Sequence, residues 1–193
     1  DGNGSIDITG SDLTIIPDTD YNSLILINII VSDDQSTDSD TFILTINPVN
    51  DVPEISIAPI GVTDEDVSVD IILEGSDIDG DSLTYLLDQD SSNGSVIITE
   101  STATFVPELD FNGLTSFSYK VSDGELVSSS VTVEIAVNPI NDAPIVEDIN
   151  DVEVTLNRTV DIELQGSDVE NDNLTFEIVD QPSLGSVSLE NNI

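Results

Sequence analysis

The sequence contains no cysteine, histidine, methionine or tryptophan. Disulfides, zinc centres and every catalytic arrangement built on a thiol or an imidazole are therefore excluded. The absence of cysteine leaves the compartment open. Cations are almost as scarce, with 2 Lys plus Arg against 40 Asp plus Glu and a formal net charge of -38. Lys120 and Arg158 cannot pair with so many carboxylates. Such a surface repels phosphate, because phosphate binding depends on Lys and Arg displacing counterions, so nucleic acid and anionic lipid are set aside as partners. No apolar run approaches the roughly 18–20 residues of a membrane span, so direct membrane insertion is not expected. The start at Asp1 shows no signal-peptide pattern, and the chain reads as an excerpt of something longer.

What is present is enough for a core: 193 residues, 38% of them hydrophobic, with Val, Ile and Leu in spaced runs. That patterning argues against disorder despite the acidity. The partner such a surface attracts is a hard cation, and carboxylate and carbonyl oxygens suit calcium best.

The chain repeats itself. NPVNDVPEI at Asn47 recurs as NPINDAPIV at Asn138, and GSDIDGDSLTY at Gly75 recurs as GSDVENDNLTF at Gly166, both at a step of 91 residues. Toward the N-terminus, PDTDYNS at Pro17 recurs as PELDFNG at Pro107, at a step of 90. Residues 1–49 thus read as the C-terminal half of one repeat, 50–140 as a complete repeat and 141–193 as the N-terminal half of the next. Both ends fall inside a repeat. Either the chain is a piece of a longer array, or the two ends complete one repeat between neighbouring molecules by strand exchange.

Within the complete repeat the apolar period is two. Segments 67–73, 83–87, 95–99, 103–106, 116–122 and 130–137 read as strands rich in β-branched and aromatic residues, and a seventh is expected near 55–60. Seven short strands in about 90 residues predict an all-β fold, an antiparallel β-sandwich with Phe117, Tyr119 and Val121 inward and Lys120 outward. An outward lysine argues against an isopeptide crosslink, which needs a buried one.

Asp77, Asp79 and Asp81 lie between two expected strands, where alternate side chains of an extended segment point the same way and Gly80 permits a tight bend. Three carboxylates can then converge. The spacing differs from a helix-loop-helix calcium loop, which places its glycine at position six between two helices. A solvated acidic turn is the plain alternative. Recurrence as Asp168, Glu170 and Asp172, beside a recurring Asn-Asp-x-Pro linker, favours binding.

NDVP at Asn50, NDAP at Asn141, the DxDGDxLTY block, PELDFNG followed by SFSYKVSDG, and the strand entering NPIN together resemble bacterial cadherin-like, Ig-like tandem repeats of large surface adhesins and secreted proteins. The resemblance spans essentially the whole chain. It implies tandem seven-stranded Greek-key sandwiches arranged end to end, outside the cell, with calcium ions at the junctions. Carried over by residue, the first junction would use Asp20, Asn50, Asp51, Asp77, Asp79 and Asp123. The second would use Glu65, Asp110, Asn141, Asp142, Asp168 and Glu170. Asp81, Asp172, Asp18 and Glu108 are reserves. Pro48 and Pro139 replace an acidic linker residue of cadherins, and the linker is one residue shorter, which implies one or two ions per junction. Leu156 stands where Glu65 aligns.

The expected function is a calcium-stiffened structural and adhesive module, a stalk or filament segment, and not an enzyme. Its expected partners are calcium ions and neighbouring repeats, with other copies or a surface receptor or glycan as further candidates. Three alternatives compete: a carboxylate-only glycosidase, a carbohydrate- or partner-binding sandwich, and acidity that serves salt adaptation. A hydrolase cleft needs aromatic or cationic groups to grip substrate, and 4% aromatics spread along strands read as core.

Overall fold

The computed structural model describes residues 4–190; residues 1–3 and 191–193, the outermost parts of the two half-repeats, lie outside it. The described chain is all β, with no helix.

The middle of the chain carries seven strands: β5 (Ile60–Asp64), β6 (Val69–Ile72), β7 (Thr84–Gln89), β8 (Gly94–Thr99), β9 (Thr102–Pro107), β10 (Gly113–Ser122) and β11 (Val131–Asn138). They form two sheets, β5-β11-β10-β7 and β6-β9-β8, packed as a sandwich. Alternation explains the packing, because a strand sends every second side chain to the same face. Phe117, Tyr119 and Val121 of β10 meet Val133, Ile135 and Val137 of β11 and Phe105 of β9 in the interior. Lys120 faces outward and pairs with Asp88 at 2.6 Å.

The sandwich departs from expectation in two places. The β11–β5 pair is parallel, unlike the other pairs of this sandwich, so the repeat is not wholly antiparallel. The first strand is not at 55–60. Glu54 makes a single antiparallel bridge with Ser76, and the continuous strand begins only at Ile60. Pro53 and Pro59 account for the shift, since each lacks the N–H that a ladder requires. After Pro59 the chain joins β11 in parallel.

Tyr119 anchors this core. Its side chain is buried, and its hydroxyl donates to the Glu74 carbonyl at 2.9 Å, tying β10 to the segment that follows β6. Tyr119→Phe is expected to cost about 1 kcal/mol, one hydrogen bond. Tyr119→Ala is expected to cost about 3–5 kcal/mol, the range for a truncated buried aromatic. Urea unfolding of the three chains checks both values.

The N-terminal half-repeat consists of two hairpins. β1 (Gly4–Thr9) pairs with β2 (Asp12–Pro17), and β3 (Ser23–Ser32) pairs with β4 (Thr37–Ile46). The first copies the register of β8–β9, with Gly4 opposite Pro17 as Gly94 is opposite Pro107. In the C-terminal half-repeat, β12 (Ile145–Val146) and β13 (Gly166–Ser167) reproduce only the Glu54–Ser76 bridge. The other strand-like stretches of 147–190 form no ladder among the described residues.

Candidate metal centres

The acidic clusters sit where strands end. At the second linker, β11 runs out at Asn138 beside the end of β5, and the Asn138 carbonyl accepts from the Glu65 N–H at 2.9 Å. The Glu65 side chain is 3% exposed. Its carboxylate accepts from the Ile140 N–H and from Asn112 Nδ2 (3.3 Å). This buried acid therefore ties the exit of the repeat to the start of the linker.

Asp66 follows with φ 61°, in the left-handed region that Asp and Asn tolerate better than most residues. It accepts from the Asp110 N–H at 3.1 Å, and Asp110 itself has φ 57°. These two turns deliver their carboxylates to Asp142 of the linker. Asp66, Asp110 and Asp142 each place an oxygen within 4.8 Å of the others, and so do Glu65, Asp142 and Glu170. Asp142 belongs to both groups.

At the first linker, Asp77, Asp79 and Asp81 converge within the same 4.8 Å. Asp77 Oδ1 accepts from the N–H groups of Asp79 (2.9 Å) and Asp81 (3.3 Å), and Gly80 at φ 82° closes the loop. The loop reaches the linker through Asp79, whose carboxylate accepts from the Asp51 N–H at 2.9 Å. The second linker repeats this contact, with the Asp142 N–H donating to Glu170 at 3.3 Å. Asn50 Nδ2 donates to Asp123 at 2.9 Å, fixing the linker to the β10–β11 loop. Asp20 and Asp51 line a cleft of about 230 Å3 together with Asp79 and Pro48.

The electrostatics mark the same positions. Asp51 is held above the usual aspartate value by partial burial, then by the charges of Asp20, Asp79 and Asp77. Asp142 is raised by burial, then by Asp110, Asp66, Glu65 and Asp168. Asp123 is lowered by the Leu126 N–H, then by Asn50 and the Glu125 N–H. Among the described residues, Asp77 Oδ2 and Asp142 Oδ2 are buried oxygens without a hydrogen-bond partner. A buried carboxylate oxygen facing other carboxylates lacks its counter-charge, and an all-oxygen donor set of this kind fits calcium.

The raised values have a pH consequence. A carboxylate raised in the folded state stabilises the fold below its unfolded value of 3.8 and loses that contribution as pH rises through the raised value. In chelator, the contribution of Asp51 and Asp142 therefore grows as pH falls through their raised values toward 3.8. With saturating calcium the sign reverses, because protons compete for the ligands. In chelator, the melting temperature of the parent relative to Asp51→Asn and Asp142→Asn is expected to rise on acidification, and in calcium to fall; a relative fall in chelator would contradict the cluster electrostatics.

Several expected residues stand apart from the convergent groups. Asn141 donates its amide to the Asp142 carbonyl at 2.7 Å. Asp168 reaches Asp142 through its charge and accepts from the Asp172 N–H at 2.9 Å. Asp168 thus closes its loop on the Asp172 N–H as Asp77 does on that of Asp81, but only the Asp81 carboxylate joins a convergent group. Asp66 was not among the expected ligands. Its signal was the left-handed turn shared with Asn157 (φ 60°), one repeat further on.

Residues 50–136 match the family model described as a bacterial Ig domain. No curated protein matches the chain. Among solved structures, the endo-fucoidan hydrolase MfFcnA4 from glycoside hydrolase family 107 is 19% identical, with 72% of this chain and 22% of that chain covered and a TM-score of 0.37. Tandem Ig repeats of Dlar align at 11% identity over 72% of this chain and 77% of that one, with a TM-score of 0.34. Domains 4–9 of the surface layer protein SbsC align at 15% identity over 72% and 21%, with a TM-score of 0.33. The chain thus spans only about a fifth of the hydrolase.

Proposed function

We propose that this chain, in which residues 50–136 are a bacterial Ig-like repeat, is a segment of an extracellular stalk or filament whose repeats are locked end to end by calcium. The observation that carries this reading is the position of Asp142. It lies in the linker and shares one group with Glu65 and Glu170, from the repeats on either side, and another with Asp66 and Asp110.

Calcium takes 6–8 oxygen ligands. At the second linker, Glu65, Asp142 and Glu170 would hold one ion and Asp66, Asp110 and Asp142 another. At the first, Asp77, Asp79 and Asp81 would form the core of a site beside Asp51 and Asp20. The ion supplies the positive charge that the chain lacks. Ligands drawn from a linker and from both flanking repeats meet in only one relative orientation, so binding turns a hinge into a strut. Without the ion, the like charges push the linker away from the loops, and modules joined by a short linker move independently by default.

A non-enzymatic structural role agrees with the Ig-like family, whose members serve chiefly as scaffolds and binding modules. Small-angle scattering tests the stiffening. Millimolar calcium is expected to lengthen the particle and narrow its distance distribution, while sodium chloride at matched ionic strength leaves it broad. An equal response to both salts would favour salt adaptation instead.

A further inference from the structure

We infer that Asn112 is a self-modification site: its side-chain amide is lost by attack of the Gly113 nitrogen, and the carboxylate left behind unties Glu65, the buried acid at the exit of the intact repeat. That repeat holds two Asn-Gly pairs, Asn93-Gly94 and Asn112-Gly113, in opposite surroundings.

The step needs only water. The Gly113 nitrogen, stripped of its proton by hydroxide, bonds to Asn112 Cγ. The Cγ–Nδ2 bond breaks, and Nδ2 takes a proton from water and leaves as ammonia. A succinimide ring remains, which water opens at either carbonyl. One opening gives aspartate, and the other gives isoaspartate, in which the main chain runs through the former side chain. Glycine lets the ring close most readily, because it carries no Cβ beside the attacking nitrogen. Closure also requires that the Asn-Gly peptide can turn and that its surroundings leave space for the ring.

Of the two pairs, only the second meets these demands. Asn93 is half-buried, and its side-chain oxygen accepts from Ser92 Oγ at 2.8 Å and from Thr115 Oγ1 at 3.4 Å. Its main-chain carbonyl accepts from the Glu108 N–H at 3.0 Å. Gly94 is wedged against β9, where a Cβ would stand 2.5 Å from both the Phe105 ring and the Val106 carbonyl. Asn112 and Gly113 are exposed, at the point where the β9–β10 loop enters β10. A Cβ at Gly113 would meet nothing nearer than the Phe111 ring at 3.9 Å, and its φ of 127° is one that glycine adopts at no steric cost. The preceding repeat has Asn22 at this position, followed by Ser23, whose Cβ hinders ring closure.

Asn112 is also where the change has a consequence. Its Nδ2 donates to Glu65 Oε2 at 3.3 Å, and the buried Glu65 carboxylate takes its other hydrogen bond from the Ile140 N–H of the linker. Aspartate at this position removes a donor and sets a second negative charge against a carboxylate that burial already penalises. Isoaspartate adds a main-chain carbon immediately before Gly113, whose pairing with Val137 opens the β10–β11 ladder. Either product loosens the hold of Glu65 on the linker, so that hold has a lifetime set by the chemistry of one residue.

The test is run in chelator, which keeps it apart from the calcium reading. The full chain is aged in mildly alkaline buffer, folded and in urea, and digested with a protease that cuts after acidic residues. Mass spectrometry then follows the exchange of NH2 for OH in each peptide, with the peptide of Asn3 followed separately. In the folded chain Asn112 is expected to react at least about ten times faster than Asn93, whose reaction must wait for local opening. In urea the two rates are expected to converge. At neutral pH, Asn112→Asp is expected to melt about 5–15 °C below the parent, and also below Asn112→Ser, which loses the donor without adding charge. Equal rates at the two sites in the folded chain, a preference for Asn112 that persists in urea, or an Asn112→Asp variant as stable as the parent would overturn the proposal.

Discussion

Adding calcium to the chelated chain is expected to raise its melting temperature by roughly 10–20 °C. An extracellular site typically binds at about 10⁻⁴–10⁻³ M, and free ion at ten times that value stabilises by about 1.4 kcal/mol per site. On the proposed reading the intact repeat supplies carboxylates at both linkers, so at least two such increments are expected to act on it. For a domain of this size, each 1 kcal/mol moves the transition by about 4–8 °C. Magnesium at the same concentration is expected to do much less, because it demands a compact octahedral shell and gives up its water reluctantly. Calorimetry with each ion checks the ranking, and equal shifts would show a general response to divalent charge.

Asp142→Asn is expected to have opposite effects in the two states. In calcium, the variant loses an anionic ligand common to both groups at the second linker. Affinity there should fall by about 100-fold, the upper end of the range for losing even an outer-shell partner of a metal site, and about half of the calcium-induced rise in melting temperature should vanish. In chelator the variant should melt slightly higher than the parent, since it removes a partly buried charge crowded by Asp110, Asp66, Glu65 and Asp168. Asp66→Asn, which touches only one of the groups, should show a smaller loss of affinity. A variant that melted lower in both states would mean that Asp142 has a structural role unrelated to the ion.

The alternation of Val, Ile and aromatic residues announced the strands, because a half-buried strand leaves a period of two whatever its neighbours are. Phe117, Tyr119 and Val121 were legible as core for the same reason. The parallel β5–β11 pair was not legible, since the direction of a partner strand leaves no mark on a single strand's pattern. The displacement of the first strand had a local cue in Pro53 and Pro59, which remove two ladder donors. Among the acidic residues, the three in the loop around Gly80 were legible because their convergence is local. Asp66 was missed because its approach to Asp110 and Asp142 depends on two left-handed turns from separate loops. Asp81 and Asp172 align in sequence yet differ in place. The first loop lies between β6 and β7 of the sandwich, whereas the second follows the two-residue β12–β13 ladder.

The most direct measurement is a crystal structure grown in millimolar calcium, with anomalous scattering used to locate the ions. The account predicts peaks at the second linker with Asp142 oxygens at about 2.3–2.6 Å, one peak shared with Glu65 and Glu170 and another with Asp66 and Asp110. Well-ordered carboxylates turned outward around ordinary waters, with no anomalous signal at either linker, would contradict it.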